Sequence, residues 1–332
     1  LTVLTVLTVL TVLAVIAVLT VLVLPERIWR RKRATVEAFS TVGPEPVLKL
    51  LAPSRGPALR VDIRTRAAPA GLGRALPAFE VVLRPEKKLQ QPSTFFVDHA
   101  VTVRAAAIAC AHAPKSKRCI GRSAPPHIVA AVDRHALICV SLDPSVTSMR
   151  DVIAKKEGAV YAHGLDRACV RGVLSSAFLV RRCGDGDEGE CLRSGGVLAI
   201  MANERDALVD ALYGSFQLTA VEDVYDRSHW SPEYASQEFA TSQIYRIGVN
   251  RMGRPATVVM APCVDVLLFA RGPNDTHPTL AGVAARSRGK GIVNMYSRFF
   301  NVHPDAKPAV DAYNTSITAN ASLPALRQAP MR

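Results

Sequence analysis

Hydrophobic and polar positions divide this chain of 332 residues into three regimes. An unbroken apolar run comes first, then short apolar segments cut up by Pro and Gly, then a regular alternation of strand and helix patterns. Residues 1–24 are Leu-Thr-Val triplets without a charge. As a helix they would extend roughly 36 Å, enough to cross a hydrocarbon core. Pro25 follows, then Arg27, Arg30, Arg31, Lys32 and Arg33, a cluster that would halt the segment at a headgroup layer, with Trp29 as an interfacial anchor. No charge precedes the run and five basic residues follow it, so the positive-inside rule puts the body on the cytoplasmic side. A secretory signal fits poorly, because the run has no basic leader and no small-residue cleavage site. Two other readings compete with the span. Thr and Val are mediocre helix formers and Met149 is the first methionine, so the run also reads as low-complexity or wrongly assigned sequence. The second, weaker one is a β-structured segment or a buried helix.

Between residues 34 and 92 frequent Pro and Gly exclude long helices and predict short strands and loops. His99–Cys110 starts like a strand and ends like a helix. From Ile128 the pattern is regular, with strands predicted over 136–142 and 158–162 and helices from Asp143 to Lys156 and from Leu165 to Ser176. Segments 177–180 and 196–201 flank a Gly-rich acidic loop and predict a hairpin. Asn203 is placed to cap a helix running to Phe216, with Leu208 and Leu212 on its buried stripe. Further on, a strand is predicted over 218–225, a helix over 232–244, two strands broken at Pro262, and a strand over 292–300. The sum is an α+β fold, a mainly antiparallel sheet with helices packed on one face, preceded by the single transmembrane helix. The chain divides into the apolar segment 1–24, a basic Pro/Gly-rich region 25–134, an α+β domain 135–303 and a mostly irregular tail 304–332.

Charge sharpens this division. Residues 26–134 hold 20 Lys and Arg against 8 Asp and Glu, which leaves 21 against 20 in the rest. The basic excess therefore sits in the first half, which reads as a surface for phosphate, in lipid headgroups or nucleic acid. Arg30, Arg31, Lys32, Arg33, Lys115, Lys117, Arg118 and Arg122 are its candidate polyanion-binding residues. The seven cysteines are odd in number and scattered, unlike a small secreted disulfide scaffold. Cys139, Cys169 and Cys263 lie among apolar neighbours and read as core residues. Asn274, Asn314 and Asn320 begin N-x-S/T sequons, which matter only if the body is lumenal.

No catalytic or metal motif is complete. Cys110, His112, Cys119 and His127 have ligand chemistry, but their spacing fits no standard zinc finger, and an unliganded loop or a Cys110–Cys119 disulfide accounts for them. Asp185, Asp187, Glu188 and Glu190 lie between Cys183 and Cys191. They lack the ligand series of a calcium loop and read as a solvated turn, with the two cysteines bonded under oxidising conditions. Asp98-His99, Asp133 with His135, and Ser228-His229 are acid–base pairs by proximity only. Tyr225, Arg227, His229, Trp230 and Tyr234 make up the richest polar–aromatic segment and the candidate partner surface, against the plainer reading of a Trp closing the core edge.

These features predict a non-enzymatic structural or interaction protein, membrane-tethered, with its basic half on anionic lipid or another polyanion. No cofactor, metal or small-molecule substrate is implied. The alternatives are a soluble nucleic-acid-binding protein, cytoplasmic or nuclear, and a hydrolase of unrecognised class.

Overall fold

A computed structural model describes residues 35–36, 38–40, 42, 80–81, 95–114, 126–155, 159–164, 166–184, 186–202, 207–235, 241–247, 257–275 and 290–321. The predicted span over 1–24 lies outside them. Among the described residues, no helix is long and apolar enough to cross a membrane.

The elements run β1 (Thr35–Val36), β2 (Ala38–Ser40), β3 (Glu80–Val81), β4 (Phe95–His99), α1 (Ala100–His112), β5 (His127–Ser141), α2 (Met149–Ala154), β6 (Ala159–His163), α3 (Arg167–Val173) and β7 (Leu179–Cys183). They continue with α4 (Glu188–Arg193), β8 (Val197–Ala202), α5 (Ala207–Ser215), β9 (Thr219–Ala220), α6 (Pro232–Ala235), β10 (Thr241–Ile247), β11 (Thr257–Ala270), α7 (Lys290–Tyr296), β12 (Asn301–Val302) and α8 (Lys307–Ala321). One curled sheet takes most of the strands in the order β2-β4-β11-β5-β8-β6-β7, with β10 on β11, and β9 and β12 on β5.

The α+β class holds, but the sheet is mixed rather than mainly antiparallel. β11 runs antiparallel to β4, β5 and β10, and β5 runs antiparallel to β8 and β9. β6 lies parallel to both β7 and β8, β2 parallel to β4, and β12 parallel to β5. The hairpin predicted between 177–180 and 196–201 is absent, because β6 sits between these two strands. The acidic loop folds into the short helix α4 and makes a β-α-β crossover, the connection that parallel strands require.

Three other predictions change. The apolar run 292–300 is largely α7, since a short buried run has no periodicity to separate helix from strand. The two strands expected on either side of Pro262 are one strand, β11. Pro262 pairs with Ser242 of β10, and pairing with β5 begins only at Cys263, so the missing N–H falls where the second ladder has not yet started. The helix expected over 232–244 stops at Ala235, and 241–247 is strand β10.

β5 is buried along most of its length, and successive residues serve two cores. Leu137 and Cys139 join a cluster with Met149, Val170, Trp230 and Phe269. Ala136, Ile138 and Val140 join a second cluster with Leu198, Leu212 and Tyr245. Local signals fix the elements around it. Ser148 and Asp151 form a capping box at the start of α2, each side chain accepting the other's backbone N–H. Gly196 leads into β8, where a Cβ would fall 2.3 Å from the Tyr161 ring, so only glycine fits.

Candidate functional site

Strand β5 gathers most of the buried imidazoles. His99, His127, His135, His229 and His303 are all buried, and the first three and the last belong to two pairs built on this strand. The pairing follows from register. β11 lies between β4 and β5, and Val266 faces both His99 and Asp133, while Val264 faces His135. The two short motifs Asp98-His99 and Asp133/His135 therefore meet across the sheet.

In this first pair His99 Nε2 lies 3.2 Å from His135 Nδ1, with the rings edge to face at 5.3 Å. One ring donates and the other accepts, as two neutral imidazoles can. The outer nitrogens lie 3.9 Å from Asp98 and 3.8 Å from Asp133, beyond hydrogen-bond reach. Each carboxylate accepts a neighbouring backbone N–H instead, that of His99 at 2.7 Å and that of Arg134 at 2.9 Å. Burial, and then the neighbouring His135, hold the His99 pKa well below its ordinary value. The ring is thus neutral at pH 7. Thr102 and Asp98 lie near Cys169, but that thiol is completely buried. Burial first, then the Asp166 and Asp98 charges, push its pKa well above the usual range. It is an inert core thiol rather than a nucleophile.

Beside this pair stands a buried charge cluster. Arg134 Nε donates to Asp265 Oδ1 at 2.6 Å, and Tyr296 OH donates to Asp265 Oδ2 at 2.8 Å. Asp265 is 2% exposed. Burial opposes the Arg134 charge, but the hydrogen bond and charge of Asp265 outweigh it and raise its pKa. Burial and then the Asp265 charge push Tyr296 well up. Tyr234 OH reaches the Cys263 carbonyl at 2.5 Å.

The second pair lies where β5 begins. β12 pairs with β5 at His127 and Ile128, and the His303 N–H donates to the Ile128 carbonyl at 2.9 Å. The His127 and His303 rings stand edge to face, 6.5 Å apart. His303 Nδ1 accepts the Asp305 N–H at 3.2 Å, so the proton of the neutral ring sits on Nε2. That Nε2 is buried with no hydrogen-bond partner among the described residues, and so is His127 Nδ1. Burial and then His303 lower the His127 pKa, against the opposing charge of Asp275. Each unpartnered buried polar group costs about 1–3 kcal/mol. The pair thus leaves a donor on His303 and a donor or acceptor on His127 to be satisfied.

The remaining sequence candidates are placed as follows. Arg30, Arg31, Lys32, Arg33, Lys115, Lys117, Arg118 and Arg122 lie outside the described residues. Tyr225 and Arg227 are exposed, whereas His229, Trp230 and Tyr234 are buried. Trp230 Nε1 donates to the Val224 carbonyl at 2.8 Å, and its ring meets Tyr234 at 5.0 Å. His229 lies 3.1 Å from Asp223, whose other oxygen takes the Met149 N–H at 2.6 Å, and Ser228 is exposed. This set braces the start of α2 and brings no hydroxyl to the imidazole. Cys110 is disulfide-bonded and so cannot be a thiolate ligand. Among the described residues, no group of three or more His, Cys, Asp or Glu is arranged to hold a metal ion. Sequence reasoning missed His303, Asp265 and Tyr296, which are single residues with no local signal, brought in by strand register.

No family model and no curated protein sequence matches the chain. Among solved structures, it is similar to the periplasmic binding protein BugD, at TM-score 0.39 and 10% identity over 86% of this chain and 97% of that one. It is also similar to MatC from Rhodopseudomonas palustris with bound malate, at TM-score 0.36 and 12% identity over 86% and 97%. The full-length virulence activator AphB of Vibrio cholerae gives TM-score 0.33 and 8% identity over 80% and 73%. Likenesses this low assign no family. The structures found include solute-binding proteins, one with a small molecule bound. The expectation of a membrane-tethered basic interaction protein on the cytoplasmic side, contacting anionic lipid or nucleic acid with no small-molecule substrate implied, has no counterpart among them and is withdrawn. The nucleic-acid-binding alternative is withdrawn with it.

Proposed function

We propose that this chain binds a small hydroxyl-bearing solute without transforming it, at the His127–His303 pair. One observation carries the reading: two buried imidazole nitrogens on adjoining rings, His127 Nδ1 and His303 Nε2, have no hydrogen-bond partner among the described residues. A hydroxyl oxygen can accept from His303 Nε2–H and donate to His127 Nδ1, and so offsets both desolvation costs at once. Asp275 and Asp305 flank the pair and weigh against a ligand whose contacts are all anionic. Among the described residues near the pair, no nucleophile stands beside a base, which favours binding over catalysis.

Malate, the ligand in the MatC structure, has an α-hydroxyl and serves as the first probe. Inorganic phosphate serves as the anionic comparison, after a possible phosphate-binding protein from Planctomyces limnophilus that is also similar in structure. Isothermal titration of the full chain should show saturable malate binding that is stronger than phosphate binding. His127→Phe keeps the ring bulk, removes Nδ1 and should abolish the heat while leaving the melting temperature within a few degrees. Equal binding by wild type and His127→Phe, or no binding of malate, ribose or phosphate at millimolar concentration, refutes the proposal.

A further inference from the structure

Two disulfide-bonded regions and two exposed sequons point in one direction. Cys183 closes β7, Cys191 lies in α4, and the two are bonded with Cα atoms 6.1 Å apart. Cys110, on α1, is also disulfide-bonded, whereas Cys139, Cys169 and Cys263 are buried free thiols. The cysteines are thus sorted by environment. Apolar burial keeps three of them as thiols, raising Cys139 to about 12, while the others are joined. Reducing compartments do not maintain such bonds. The bond adds a covalent link to the contact that Glu188 of α4 already makes with His163 of β6 at 3.0 Å.

The sequons then acquire a physical context. Asn274 lies exposed in the turn after β11, where Asp275 Oδ2 accepts the Gly272 N–H at 2.9 Å and fixes the turn with Asn274 outward of the sheet end. Thr276 completes its sequon in the sequence. Asn314 is exposed on α8, with Ser316 as its third residue, also exposed. Neither asparagine packs against a core cluster. A bulky hydrophilic group at either position would stand in solvent.

We infer that the chain matures in an oxidising secretory lumen and carries N-linked glycans at Asn274 and Asn314. Each glycan is transferred when the asparagine amide nitrogen attacks C1 of a polyprenyl-diphosphate-linked oligosaccharide. The N–C1 bond forms, the C1–O bond to the diphosphate breaks, the polyprenyl diphosphate leaves, and the amide gives up one proton. The Cys183–Cys191 bond forms by thiol–disulfide exchange with a lumenal disulfide oxidoreductase. That enzyme takes the two electrons and its own disulfide is reduced to a dithiol, the two protons ending on its thiols.

The test is expression of the full chain behind a cleavable secretory signal in cultured eukaryotic cells, read on cell lysate and medium together. Treatment with a peptide N-glycosidase should lower the mass by two glycans. Asn274→Gln, Thr276→Ala and Asn314→Gln should each remove one. Alkylation under denaturing conditions, before reduction, should label Cys139, Cys169 and Cys263 and spare Cys183 and Cys191. A lumenal chain with no glycosidase-sensitive mass overturns the glycan assignment. Labelling of Cys183 and Cys191 in that denatured, unreduced chain overturns the disulfide and with it the compartment on which the glycan assignment rests.

Discussion

Breaking the Arg134–Asp265 pair should be costly from one side and cheap from the other. Asp265 is 2% exposed and holds two donors, Arg134 at 2.6 Å and Tyr296 at 2.8 Å. Arg134 is 37% exposed, so its guanidinium can turn to water when its partner is lost. Removing one partner of a fully buried pair costs about 3–5 kcal/mol. Screening at the half-exposed guanidinium lowers that to about 2–3 kcal/mol for Arg134→Met, which strands the Asp265 charge with Tyr296 alone. Asp265→Asn leaves a neutral amide beside a cation that reaches solvent, and should cost about 1–2 kcal/mol. The double variant should lose less than the sum, since no charge remains stranded. Urea unfolding at pH 7 measures all three. A loss below about 0.5 kcal/mol for Arg134→Met, or a larger loss for Asp265→Asn than for Arg134→Met, would refute this reasoning.

Three more outcomes follow from the same structure. His99 is held below its ordinary pKa, so the unfolded chain binds more protons just under pH 6.5. Its contribution is complete above about pH 6.5 and is lost as pH falls toward its folded value, so urea midpoints should drop there, and less so in His99→Gln. Removing the α2 capping box with Ser148→Ala should cost about 1 kcal/mol, measured by the same unfolding assay, and a neutral result would count against the cap. Cys183→Ser opens a loop of sequence separation 8 and should cost roughly 2–3 kcal/mol, with the wild type losing the same amount under reductant.

Local pattern carried the sequence reading as far as individual elements, and its errors began where pairing is long-range. Asp98-His99 and Asp133/His135 are visible in the sequence only as neighbours. What joins them is β11, whose Val266 faces both His99 and Asp133, and no local window contains that strand. The short acidic loop makes a Cys183–Cys191 bond a reading conditional on oxidising surroundings, whereas the hairpin inferred from the same loop is not formed. The glycines that suggested a tight turn lead instead into α4, and β6 takes the neighbouring place in the sheet. His127 drew attention only as a zinc candidate, and His303 drew none. A lone histidine after a short strand has no periodicity to mark it.

Solute binding at the second imidazole pair is tested most directly by nitrogen-15 NMR of the histidine rings during a malate titration at pH 7. The account predicts that the His303 Nε2–H and His127 Nδ1 resonances shift saturably together while the His99 and His135 rings stay fixed. Unmoved His127 and His303 resonances, at malate concentrations where titration calorimetry registers binding, would contradict it.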